Sequence, residues 1–123
     1  MNRKERKISI LFVIDGLEFG GGERVFLQLA RGFRGDHDVC VATTPGGVFD
    51  REVRALGMHV FPVDMGQRFS LRPVCQISKI LRDRKIDLVH SQGARADFFA
   101  RVAVRKASSH MTVSYTHLTL PTN

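Results

Sequence analysis

Between Ile8 and Val113 the chain alternates, with little slack, between short apolar runs and longer stretches whose apolar residues recur at helical spacing. That alternation is the strongest constraint on its fold. "KISILFVID" (7–15) is unbroken in its apolar part and bounded by polar residues, as befits a strand covered on both faces. "ERVFLQLARGFR" follows, with Val25, Phe26, Leu29, Ala30 and Phe33 near helical period. "HDVCVAT" (37–43) is a second strand, stopped by the turn signal "TPGG". "VFDREVRALG" predicts a short helix with Gly57 closing its C-terminus. "MHVFPVD" is a third strand, placed near an edge because Pro62 has no N–H to give to a ladder. A loop, "MGQRFSLRP", leads to a helix in "VCQISKILRDRK". "DLVH" (87–90) is a short strand, "SQGARADFFARVAVRKA" returns to helix, and "HMTV" opens another strand. Each parallel step needs a crossover, so this order predicts an α/β fold: a doubly wound, mostly parallel, Rossmann-like sheet with helices on both faces.

The 123 residues suffice for one domain, or for one lobe of something larger. No stretch approaches the ~20 apolar residues of a membrane span. The basic start followed by an apolar run imitates a signal peptide, but Asp15 ends the run early and no small-x-small site follows. Cys40 and Cys75 lack C-x-x-C spacing and sit in apolar surroundings, which predicts buried free thiols in a reducing cytoplasm. The net charge of +7 favours anionic partners such as phosphates or an acidic membrane surface. Its lysines and arginines are spread over the 1–7 segment and several helix faces without interleaved aromatics, which argues against nucleic acid.

Ligands of open parallel sheets sit beyond the carboxyl ends of the strands. Two such crossings stand out. In the first, "DGLEFGGGER", glycines 20–22 leave the backbone bare just where a helix is expected to start, near Glu23. They serve either a tight turn or the close approach of a phosphate to unpaired helix N–H groups. The dinucleotide spacing G-x-G-x-x-G and the Gly-Lys-Ser/Thr of a P-loop are both missing, which speaks against a nicotinamide dehydrogenase or a P-loop NTPase. In the second crossing, His90 is expected to end a strand, Gly93 to open the next helix and Arg95 to fall in its first turn. His90 is there either to contact a sugar hydroxyl, to hold a loop, or as an ordinary structural histidine. Arg95 is either a phosphate contact or a solvated helix residue.

Together, "ILFVIDGLEFGGGERVFLQLARGF" and "IDLVHSQGARADFFARVAVRKA" resemble the N-terminal domain of family 4 glycosyltransferases of the GT-B fold. The family carries G-G-A-E-R after one strand and a D-x-V-H-x-H-G-like motif at the end of a later one. The resemblance covers residues 8–112. It implies a two-lobed enzyme that moves a sugar from a nucleotide diphosphate sugar to an acceptor hydroxyl, mostly with retention, without metal or cofactor. Bacterial members often build cell-surface polysaccharide or glycolipid in the cytoplasm, some of them peripheral on the inner membrane face. Carried over by position, Gly20, Gly21, Glu23, Arg24, His90 and Gly93 match the family's motif residues and are implied to bind substrate or diphosphate; Gly22 and Arg95 stand beside them as candidates for the same contacts because of their place at the helix starts, and His90 is the one candidate for a catalytic part. Gly22 replaces the family's alanine and Gln92 its second histidine. No two glutamates show the E-x7-E spacing that grips the donor in the C-terminal lobe, so the chain is expected to lack that lobe and to be inactive alone. "VSYTHLTLPTN" (113–123) resembles a translated sequencing adaptor and is expected to be a non-native tail, which leaves His117 without weight. The alternative is a stand-alone flavodoxin-like binding or regulatory module. For a receiver-type module, Asp64 would supply the aspartate of the third strand end, but Asp15 lacks an acidic neighbour in sequence.

Overall fold

The computed structural model describes residues 7–17, 21–67 and 70–107 and the backbone of 112–116. The elements run β1 (Ser9–Ile14), α1 (Gly21–Arg34), β2 (Asp38–Thr43), α2 (Val48–Ala55), β3 (His59–Pro62), α3 (Arg72–Asp83), β4 (Leu88–Gln92), α4 (Ala94–Ala107) and β5 (Thr112–Thr116). The strands form one sheet in the order β3-β2-β1-β4-β5, and every pairing is parallel. Pro62 lies in the edge strand β3, and Gly57, at φ +80°, donates its N–H to the Arg54 carbonyl (2.9 Å) just beyond α2, both as the sequence predicts.

Strand alternation divides the core between the two sheet faces. Ile10, Phe12 and Ile14 pack against Phe26 and Ala30 of α1 and Phe49 and Val53 of α2. Leu11 and Val13 pack on the other side with Ile77 and Leu81 of α3 and Ala100 and Ala103 of α4. Right-handed crossovers explain the division. The chain moves one way from β1 to β3 and the other way from β3 to β5, so α1 and α2 share one face and α3 and α4 the other. A fully buried Phe12 or Phe26 contributes about 1.5–3 kcal/mol of transfer free energy, so this central layer anchors the fold.

Several expectations need correction. Helix α1 begins at Gly21, two residues before Glu23. Strand β4 continues through Ser91 and Gln92, which the sequence assigns to the following helix, because β1 and β5 both offer ladder partners there (Val13 and Tyr115 beside Ser91, Ile14 and Thr116 beside Gln92). Of the apolar stripe on α1, Phe26 and Ala30 are buried, but Val25 is 63% exposed, Leu29 39% and Phe33 40%. The crossovers put α3 and α4 on the opposite face of β4, so Leu29 and Phe33 border an open apolar groove of about 230 Å³ with Ile10, Phe12, Leu88 and His90. Cys40 is buried as expected, but Cys75 is exposed. The stripe of α3 runs through Val74, Ile77 and Leu81, and the ~100° step of a helix turns position 75 away from it.

Candidate functional site

The strand order reverses between β1 and β4: the chain leaves β1 toward β2 and returns to its other side as β4. At the carboxyl rim of that pair lies a cleft of about 320 Å³ lined by Asp15, Leu17, Glu23, Gln92, Gly93 and Arg95. Such a reversal leaves a crevice because the two outgoing loops diverge to opposite faces of the sheet.

Each lining residue is held by its own local structure. Asp15 follows β1; its carboxylate accepts the Leu17 N–H (3.3 Å) and its carbonyl accepts the Thr44 N–H (3.2 Å). Thr44 Oγ1 in turn accepts the Met65 N–H (3.1 Å), and the Met65 carbonyl accepts Arg95 Nη1 (3.1 Å). The rim residues after β1, β2 and β3 are thereby tied to the first turn of α4. Gly16 lies at φ +67°, and a Cβ there would run into Thr43 Oγ1; a Cβ at Gly47 would stand 2.9 Å from the Gly16 carbonyl. These two glycines let the loops after β1 and β2 pack against each other.

Glu23 stands in the first turn of α1, in a helix opened by Gly21 and Gly22. The first N–H groups of a helix have no intrahelical acceptor, and the positive end of the helix dipole lies with them. A Cβ built on Gly21 meets no atom of the described residues within 4 Å. The fold itself therefore leaves room for a side chain there. At the second crossing, Gly93 takes φ +98°, a conformation that favours glycine, and its carbonyl accepts the Asp97 N–H (2.8 Å). Ser91 Oγ donates to the buried Asp97 Oδ1 at 2.5 Å, clamping the end of β4 to the start of α4.

Among the residues singled out from the sequence, the cleft gathers Glu23, Gly93 and Arg95, with Gly21 and Gly22 opening the helix that carries Glu23. Gly20 lies outside the described residues, as do residues 1–6 and 117–123. Arg24 instead lines a separate hollow of about 280 Å³ with Leu27, Gln28, Arg31, Val48 and Glu52, because one helical step turns it from Glu23 toward α2. His90 is displaced too. It sits two residues before the end of β4 and lines the apolar groove beside α1, its ring stacked on Phe26 and edge-on to Phe12. Burial there pushes its pKa below the ordinary value, against a smaller upward pull from the Asp97 carboxylate.

Asp15, Leu17 and Gln92 complete the cleft although the site reading of the sequence omits them. Their signal was position: Asp15 is the first polar residue after the longest apolar run, and Gln92 becomes a strand end once β4 is given its full length. Chemically, two carboxylates, a carboxamide and a guanidinium can exchange several hydrogen bonds with a polar ligand, and two helix N-termini favour negative charge nearby. Among the described residues, no group of three or more His, Cys, Asp or Glu side chains is arranged to hold a metal ion. No described helix is long and apolar enough to cross a membrane.

Comparison with known proteins agrees with the fold. No curated protein matches the chain in sequence. Solved structures with a similar fold include MurG of Acinetobacter baumannii (TM-score 0.73, 16% identity, 88% of this chain and 34% of that one). They also include a glycosyltransferase from Rickettsia africae (TM-score 0.72, 18% identity, 89% and 29%). HepE of Anabaena, solved in complex with UDP, is a third (TM-score 0.70, 19% identity, 88% and 29%). The chain thus spans about a third of the length of these structures and has the Rossmann-like fold of one lobe of the GT-B architecture. The family model for Glycosyltransferase Family 4 matches residues 19–122, most of the chain, and the chain belongs to that family.

Proposed function

We propose that the chain is the N-terminal, acceptor-side half of a glycosyltransferase that moves a sugar from a nucleotide diphosphate sugar to an acceptor hydroxyl, with retention at the anomeric carbon. The observation that carries this reading is the cleft at the reversal of strand order, where Asp15, Glu23, Gln92 and Arg95 converge beside the first turns of α1 and α4. HepE has been solved with UDP-glucose, which supports a UDP-sugar as donor.

In this reading Asp15 and Glu23 accept hydrogen bonds from acceptor hydroxyls, and Arg95 donates. The bare backbone at Gly21 and Gly22 lets the first N–H groups of α1 approach the donor diphosphate and stabilise the charge left on it as the glycosidic bond breaks. Holding acceptor and donor in line accounts for the rest of this lobe's part in the reaction. A second lobe supplies most donor contacts, so the chain alone is inactive. Its product is a cell-surface polysaccharide or glycolipid, and its basic surface favours work beside an anionic membrane on the cytoplasmic side.

The test is transfer from UDP-glucose and other nucleotide sugars, assayed with the 123-residue chain and with the longer polypeptide encoded by the complete reading frame. Transfer by the longer polypeptide alone is expected. Turnover by the isolated chain overturns the half-site assignment, and no transfer by the longer polypeptide from any nucleotide sugar overturns the reaction.

A further inference from the structure

Helices α3 and α4 share a core that includes Ile77, Leu81, Ala100 and Ala103. At the solvent edge of that contact, two nucleophiles far apart in sequence meet. Lys106, in the last turn of α4, donates from Nζ to the Cys75 Sγ of α3 at 3.9 Å. Both residues are exposed, and the thiol is free. Neither lines the cleft at the reversal of strand order, so the pair stands apart from sugar transfer. Among the described residues, no carboxylate pairs with Lys106. Lys79, one turn beyond Cys75 on α3, is placed differently: its ammonium is committed to Asp83 at 2.8 Å.

We propose that Cys75 and Lys106 form a modification site for small acyl thioesters of the coenzyme A type, in which the thiol takes the acyl group and hands it to the lysine amine. The pairing selects this chemistry. A thiolate exchanges readily with a thioester, because the bond formed and the bond broken are both carbon–sulfur bonds. An amide is the more stable product, so an acyl group on Sγ moves on to an amine held beside it and stays there. In the first step the Cys75 thiolate bonds to the acyl carbon. The carbon–sulfur bond to the carrier breaks, and the carrier thiol takes up the proton that Cys75 gave to solvent. In the second step Lys106 Nζ, having released one proton to solvent, attacks the same carbon. The bond to Sγ breaks, and a proton from the nitrogen passes to Sγ and restores the thiol. Nothing is oxidised or reduced. Proximity drives the transfer: an amine 3.9 Å from the sulfur meets the acyl carbon at a local concentration far above that of a lysine reached through solvent. The product has lost the Lys106 charge from the last turn of α4.

The native chain is incubated at about pH 8 with acetyl-coenzyme A, digested, and read by peptide mass spectrometry. Acetyl is expected on Lys106 at least about tenfold faster than on Lys79 or Lys85, and in Cys75→Ala the Lys106 rate should fall to theirs. Blocking Cys75 with iodoacetamide before the thioester is added should have the same effect in the unsubstituted chain, so the result holds whether or not the variant folds. Lys106→Arg should strand the acetyl group on Cys75, where hydroxylamine removes it. If Lys106 is acetylated as fast without a free Cys75 thiol, the lysine reacts directly and the relay is wrong. If acetyl stays on Cys75 of the unsubstituted chain and never reaches Lys106, the pair does not transfer. Failure of both residues to acquire acetyl overturns the site altogether.

Discussion

The His90 imidazole stacks on the Phe26 ring, with centroids 5.5 Å apart and planes 20° from parallel. Burial there disfavours the imidazolium and depresses the pKa, with the Asp97 carboxylate pulling weakly the other way. The folded-state value thus lies below the unfolded one of about 6.5. Between the two, the unfolded chain binds more protons, so stability rises with pH across that window. The favourable contribution of neutral His90 is complete above about pH 6.5 and is lost as the pH falls from there through the folded-state value. Urea unfolding between about pH 7 and about pH 5 should therefore show a steeper loss for the parent than for His90→Phe, which keeps an aromatic ring in the stack. Equal slopes would mean that His90 titrates as it does in the unfolded chain.

The two thiols should differ sharply in reactivity. Cys75 is exposed, whereas Cys40 is buried in β2, its pKa pushed up to about 11 by burial, with Arg84 opposing and Asp38 adding to the rise. The thiolate is the reactive form, so iodoacetamide at neutral pH should modify Cys75 in the native chain and reach Cys40 only after denaturation. Mass spectrometry of the alkylated peptides reads this directly. Modification of both at similar rates under native conditions would contradict the packing around β2.

What could be read in advance followed from local chemistry. Strands covered on both faces must be apolar throughout, so Ile10 to Ile14 and the later runs announced a parallel sheet before any pairing was known. Helix interiors and the turn at Gly57 were equally legible. The ends of β4 were not, because Ser91 and Gln92 are polar, and what makes them strand is the pairing with β1 and β5 from elsewhere in the chain. The exposure of Leu29 and Phe33 follows from crossover handedness, which no helical period reports. The site divides in the same way. Glu23, Gly93 and Arg95 sit at strand-to-helix junctions and could be found from that alone. Asp15 and Gln92 join them only because strand order reverses between β1 and β4, a property of the whole sheet.

The Ser91–Asp97 hydrogen bond is buried and short, 2.5 Å between Oγ and Oδ1. Replacing Ser91 by alanine leaves a carboxylate buried beside an apolar neighbour, with a loss of about 2 kcal/mol expected from the unmade charged hydrogen bond. Asp97→Ala should cost a similar amount, since it also removes a negative charge from the first turns of α4. Removing both partners leaves nothing unsatisfied, so the double variant should lose clearly less than the sum. Denaturant midpoints at constant m-value measure the cycle, and strict additivity would show that the two side chains do not couple.

Gly16 and Gly21 look alike in sequence, each close to the end of the first apolar run, yet the structure asks different things of them. Gly16 combines φ +67° with a Thr43 hydroxyl where its Cβ would go, so Gly16→Ala should destabilise by more than about 2 kcal/mol through backbone strain and the displaced β2 end. Gly21 opens α1 with no atom of the described residues near its would-be Cβ, and there alanine should be neutral or stabilise by up to about 1 kcal/mol. Gly21→Val is the informative change: it should fold with a midpoint close to the parent's while crowding the approach to the first N–H groups of α1. In the longer polypeptide, sugar transfer should then fall at least about tenfold, the loss expected when backbone donors can no longer reach a developing negative charge. Urea unfolding of both variants and transfer kinetics of Gly21→Val separate the roles. Undiminished transfer would reduce Gly21 to a turn residue and move the diphosphate contacts away from the start of α1.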